Sequence, residues 1–162
     1  MPAGPVIVNS TPLVAFWAIG RLDILHLLFG EIVIPPAVRD EFLSADKETR
    51  RKTLRDVSWI RVVELENPNR TGAFATLDEG EAQVLALAEE QNASLVLIDE
   101  RKARRYAERL KLPLSGTLGV LLLAKEEKII STVAPSLKAI QQAGLYLHDE
   151  LIEQVLDMAG EK

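Results

Sequence analysis

An α/β fold with a central, mostly parallel sheet of four or five strands flanked by helices is the class this sequence predicts. Three observations predict it. The runs Val6-Ile7-Val8 and Leu95-Val96-Leu97-Ile98 are apolar without alternation, as expected for strands covered on both faces. Helical patterns separate successive apolar runs, the arrangement of βα units. Each of the two runs ends in a polar residue, Asn9 and Asp99, at the strand end where open α/β sheets collect their ligands.

Taken in order, the strand candidates are 6–8, 31–34, 60–63 and 95–98, with a weaker fifth near 112–114. Ser10 and Thr11 can cap a helix that begins around Pro12, a suitable first-turn residue. Gly20 breaks that pattern, and residues 22–29 make a second, short apolar helix. Pro35 and Pro36 open a third, which carries Val38, Glu41 and Phe42. The segment 44–58 is dense in charge, including Asp46, Lys47, Arg50, Arg51, Lys52 and Arg55. It makes either a solvated helix or loop, or a surface facing RNA or a partner. Residues 66–76 hold Asn67-Pro68-Asn69 and Gly72 without periodicity and read as the longest loop. Helices follow at 79–91, at 100–111 and at 118–124, the last apolar nearly all round and so expected to be buried. Pro135 and Gly144 bracket another helix. On 149–159, Leu151, Ile152, Val155, Leu156 and Ala159 share one stripe, which either docks on the parent domain or serves a dimer or partner interface.

The chain has 162 residues, enough for one domain with a sizeable core, here with a C-terminal helical extension from about 132. It has no cysteine, which excludes disulfides, thiolate chemistry and cysteine-held zinc. With only two histidines, His26 and His148, a metal site must be mostly oxygen, which favours Mg²⁺ or Mn²⁺. A net charge of −5 does not point to constitutive nucleic-acid binding, although a local basic stripe can act against an acidic background. Met-Pro-Ala-Gly-Pro offers no basic region before the apolar stretch, so no signal peptide is read, and no apolar run approaches the roughly 20 residues of a membrane span. A cytoplasmic protein without a membrane partner is expected.

The residues that could carry chemistry are mostly acids. Glu41 follows Ala37 and Val38 by four and three positions, placing it on their helix face, where a carboxylate needs a partner or a metal. A boundary position or an arginine ion pair explains it equally well. Glu81 shares the inward face with Val84, Leu85 and Ala88, yet Asp78 and Glu81 also have the spacing of a capping box. Asp99 is either a helix cap or a ligand at the functional edge of the sheet. Asn9 is a turn residue or a neutral carbonyl ligand, which Ser10 and Thr11 could orient. Two carboxylates about 4 Å apart repel by roughly 4 kcal/mol at an effective dielectric near 20, and a bound cation relieves that. After Asp99 come Arg101, Lys102, Arg104 and Arg105, suited to a phosphodiester backbone unless Glu100 merely pairs with Arg104. Gly116-Thr117-Leu118-Gly119 lacks the lysine-hydroxyl ending of a phosphate loop and reads as a closely packed helix start.

Together, Val6-Ile7-Val8-Asn9-Ser10-Thr11-Pro12-Leu13, Ile19-Gly20-Arg21-Leu22, Ile34-Pro35-Pro36-Ala37-Val38-Arg39-Asp40-Glu41, Leu77-Asp78-Glu79-Gly80-Glu81-Ala82, Leu97-Ile98-Asp99-Glu100-Arg101-Lys102-Ala103-Arg104 and Gly116-Thr117-Leu118-Gly119-Val120-Leu121 resemble the PIN-domain family. The likeness is strongest to its VapC-like toxin ribonucleases and a related PIN-like subgroup, and it covers about residues 5–130. It implies a three-layer fold and cleavage of single-stranded or structured RNA with Mg²⁺ or Mn²⁺ held by acids. The family's second, third and fourth acids fall on Glu41, Glu81 and Asp99, and its first falls on Asn9. Ser10, Thr11, Arg101, Arg104 and Arg105 would then face the substrate. A small antitoxin protein and a second copy of the chain are the partners the resemblance implies. The amide at position 9 leaves three carboxylates where the family usually has four, so a PIN-like module that binds RNA or an antitoxin without cutting is the alternative. A phosphoacceptor receiver domain is disfavoured, because strand one ends in Asn9 and Ser10 instead of an acid pair.

Overall fold

Five short parallel strands build the sheet: β1 (Val6–Val8), β2 (Ile32–Ile34), β3 (Ile60–Val62), β4 (Leu95–Leu97) and β5 (Leu114–Ser115), in the order β3-β2-β1-β4-β5. The computed structural model describes residues 4–45 and 47–162. Met1–Ala3, which open the N-terminal stretch read above for a signal peptide, and Asp46 of the charged segment lie outside the described residues. The chain winds outward from β1 to β3, then returns to lay β4 on the other side of β1. That reversal makes the space beyond β1 and β4 the topological switch point, where a crevice opens. The expected α/β class with a parallel sheet between helices is the one observed.

Helices cover both faces of the sheet. They are α1 (Ser10–Ala18), α2 (Asp23–Phe29), α3 (Pro36–Leu43), α4 (Lys47–Asp56), α5 (Glu79–Gln91), α6 (Arg101–Arg109), α7 (Thr117–Glu126), α8 (Ala134–Gln142) and α9 (Asp149–Met158). Ile7, Val8, Val96, Leu97 and Ile98 are buried, which explains why these strands do not alternate. Leu13 and Phe16 of α1, Val38 and Phe42 of α3 and Leu85 of α5 complete the same cluster. Each such side chain contributes about 1.5–3 kcal/mol by leaving water.

Several expectations are corrected. Helix α1 begins at Ser10, with Asn9 as its N-cap, because Leu13 N–H already bonds the Asn9 carbonyl. Neither the Asn9 side chain nor the Ser10 hydroxyl caps it. Residues 68–74 are a 3₁₀ helix, not an irregular loop. Asn67 accepts from Asn69 N–H at 3.1 Å, Glu90 accepts from the N–H groups of Glu66 and Asn67, and Phe74 is buried edge-on against Tyr106. A three-residue repeat held by tertiary contacts leaves no 3.6 periodicity to detect. Helix α7 buries one face only: Val120, Leu121 and Ala124 are inside, whereas Leu118, Leu122 and Leu123 stay half-buried. The stripe of α9 docks through Val155, with Ile152 and Leu156 half-buried, but Leu151 remains 42% exposed.

Candidate functional site

Asn9 and Asp99 leave adjacent strands at the switch point, stitched by the hydrogen bond from Asn9 N–H to the Leu97 carbonyl at 2.9 Å. Asn9 is buried and its Oδ1 lies beside Gly80 at the start of α5. A methyl group on Gly80 would sit 3.8 Å from that oxygen and 3.6 Å from Asp78 Oδ1. The first turns of α1 and α5 therefore meet over the ends of the strands. Ser10 follows Asn9 inward, and its buried hydroxyl has no hydrogen-bond partner. A buried, unpaired hydroxyl costs about 1–3 kcal/mol unless a ligand or water satisfies it. Thr11 faces solvent.

Glu81 is the buried acid of the site. The capping box is real: Asp78 Oδ1 accepts from Glu81 N–H at 2.8 Å, and Glu81 Oε1 accepts from Asp78 N–H at 3.2 Å. Capping does not use up the carboxylate, because only Oε1 is engaged. Burial raises the Glu81 pKa above the ordinary carboxyl value; the Asp78 backbone bond opposes this, and the negative charges of Asp78, Glu100 and Glu41 add to the rise. Glu81 is thus both cap and member of an acidic group.

Glu41 lies within electrostatic reach of Glu81, but it is exposed. The expectation of a buried stripe holds for Val38 and Phe42 and fails for Glu41, which stands about 100° round the helix from Phe42 and reaches solvent. Asp99 does not cap α6, and Glu100 takes that role by accepting from Ala103 N–H at 2.8 Å. Asp99 turns instead to the start of α7, where it accepts from Thr117 N–H at 2.7 Å and from the Thr117 hydroxyl at 2.5 Å. The close packing read at Gly116 arises here, since a β-carbon at that position would collide with Asp99 Oδ1.

The basic residues divide. Arg104 is half-buried and donates to the Ile98 carbonyl at 2.7 Å instead of pairing with Glu100. Lys102 donates to the Thr76 carbonyl. Arg101 and Arg105 are exposed and make no ion pair among the described residues. In α4, Arg50 lies over the Trp17 and Phe42 rings at 4.6 and 4.9 Å, whereas Arg51 and Lys52 face solvent. The charged segment is thus largely a solvated helix, with Arg50 turned back onto the domain.

Among the described residues, no three Asp, Glu or His side chains converge closely enough to form a ready metal cage. The donor set still fits a hard cation that keeps much of its water. Mg²⁺ commonly takes only one or two carboxylates plus waters and substrate phosphates. The mutual repulsion at Glu81 and the unsatisfied Ser10 hydroxyl are what such a hydrated cation would relieve. Glu100, expected only as a partner for Arg104, also acts on Glu81 through its charge. Its position just past the end of β4 was the available signal.

No single helix among the described residues is long and apolar enough to cross a membrane. No curated protein matches the chain. A family model described as a PIN domain matches residues 5–161, nearly the whole length. The matched span runs past the C-terminal limit of the likeness read from motifs and takes in α8 and α9. With this match and a parallel five-stranded sheet, the chain belongs to the PIN-domain family.

Proposed function

We propose that this PIN domain is a metal-dependent ribonuclease acting on single-stranded or structured RNA, as the toxin of a toxin–antitoxin pair in the cytoplasm. The observation that carries the reading is the buried Glu81 carboxylate, held at the ligand edge of the sheet with other acids around it. Glu41, Glu81 and Asp99, with the Asn9 carbonyl, would hold Mg²⁺ or Mn²⁺ directly or through water. When bound, the cation supplies a water of lowered pKa and offsets the charge that develops on the phosphate.

The chain's own residues do the positioning. The Thr117 bonds fix the Asp99 carboxylate, and the Asp78 bond engages Glu81 Oε1, so that its other oxygen would serve the cation. Ser10 and Thr11 offer hydroxyls at the start of α1 to orient a water or a phosphate oxygen. Arg101 and Arg105 would hold the RNA backbone, with Arg104 bracing the β4 end from Ile98. Hydrolysis adds water oxygen to phosphorus, breaks the bond to the leaving ribose oxygen and passes a proton to it.

The test is Mn²⁺-dependent cleavage of a single-stranded RNA by the wild type and by an Asp99→Asn/Glu81→Gln double variant. Activity lost in the folded double variant supports the assignment, and activity retained at the wild-type level overturns it. Asn9 favours a second reading, a PIN module that binds RNA or a small antitoxin without cutting. Asn9→Asp separates the two: cleavage that appears only on restoring the acid establishes the binding module. A second copy of the chain is proposed as partner.

A further inference from the structure

We infer that the C-terminal extension forms a nucleobase pocket against Asp99, which would choose the base beside the scissile phosphate; the inference rests on RNA being the substrate. A cavity of about 210 Å³ opens between α1, α7 and the segment that joins α8 to α9. Its polar wall is Thr11, Asp99 and Thr117. Leu118, Ile140 and Leu145 line the apolar side. At the rim stand Tyr146, 79% exposed, and His148, with ring centroids 5.0 Å apart in an edge-on pair.

This shape suits one ring system. It is smaller than the ~300–1,000 Å³ pockets that take drug-sized ligands, and too small for a helix or a subunit. A base has apolar faces and a polar edge, and the cavity sets an apolar wall and two aromatic rings against hydroxyls that donate or accept. The exposed Thr11 hydroxyl and the Asp99 carboxylate, which Thr117 holds in place, are the groups that would meet a base edge. Unpaired bases are recognised by such stacking combined with edge contacts. Asp99 is shared by the pocket and the proposed cation site, so a phosphate held there leaves the adjoining base within one nucleotide's reach.

Backbone amide shifts of the ¹⁵N-labelled full-length chain, titrated with AMP, GMP, CMP, UMP and ribose 5-phosphate, test this. Shifts at Thr117 and at 145–151 with at least one nucleotide, absent with ribose 5-phosphate, support the pocket. Leu118→Trp, which fills the cavity, should weaken that binding at least tenfold. Tyr146→Ala, at a position 79% exposed, should weaken it at least threefold. Equal shifts with ribose 5-phosphate, or silence of these amides toward every nucleotide as expected if a partner protein's side chain is the occupant, overturn it. Nucleotide binding here without Mn²⁺-dependent RNA cleavage keeps the pocket and removes the nuclease reading. Cleavage with these amides silent does the reverse.

Discussion

At residue scale the behaviour of the site turns on Glu81. Burial and the neighbouring acids raise its pKa in the folded chain above the value it has unfolded. Between those two values the folded state binds the extra proton, so this residue's contribution to stability falls as pH rises through the window. Glu81→Gln removes the penalty while keeping an acceptor for Asp78 N–H. The variant should melt above wild type at pH 7.5, and the difference should vanish below the ordinary carboxyl range, as followed by circular dichroism. A bound cation reverses the ranking. At a hundredfold excess over its dissociation constant Mn²⁺ stabilises the wild type by about 2.7 kcal/mol and the Gln variant by much less. Thr117→Val separates the positioning of Asp99 from its charge. It deletes one of two bonds to that carboxylate and should cost about 1.5–3 kcal/mol in a urea melt. Spacing singled out the acids at 41, 81 and 99 only as candidates, each with a structural alternative, and the family resemblance assigned them a common role. Neither could reveal that Asp99 faces α7, because the partner lies 18 residues away.

Among the elements, those with local causes were the most legible. Helix α5 runs from Glu79 to Gln91 as read, because its capping box and apolar face are both written in the sequence. The 3₁₀ segment and the C-terminal tail were not, since each is held by a side chain distant in sequence. Glu161 shows why. Its carboxylate receives Val133 N–H at 2.7 Å and Ala134 N–H at 3.0 Å, capping α8 from the far end of the chain, and it receives Lys125 Nζ at 2.9 Å. Desolvation acts to raise its pKa, but the Val133, Lys125 and Ala134 bonds outweigh it, and the net shift is downward. The stability it contributes is therefore present above the ordinary carboxyl pKa and is lost as pH falls below that value. Glu161→Ala should cost about 2 kcal/mol at pH 7. That deficit against wild type should shrink on acidification to pH 3, measured by thermal melts. Proton exchange should rise first in the opening turn of α8, and the α9 amides should follow because Lys125 also holds the Ala159 carbonyl.

For the whole molecule, charge and architecture answer different questions. Apolar strands separated by helices made the parallel sheet legible, because burial on both faces imposes its pattern on composition. The crevice beside Asp99 was not legible, because it forms only where α1, α7 and the 145–151 segment pack together. Net charge is equally blind to placement: the chain carries −5 overall, yet Arg101 and Arg105 stand exposed, without an ion pair among the described residues, just past the strand that delivers Asp99. If these two cations neutralise RNA phosphates, each contact releases counterions, and the logarithm of affinity falls with the logarithm of salt by about 0.7 per contact for a single strand. Arg101→Ala/Arg105→Ala should therefore flatten the salt dependence of RNA binding by about 1.4 in slope, without altering preference among bases. Fluorescence anisotropy of a labelled single-stranded RNA between low and physiological salt checks this, with the Glu81→Gln variant used to suppress cleavage. An unchanged slope would mean that the backbone runs elsewhere, and the exposed Arg51 and Lys52 on α4 would be the next cations to remove.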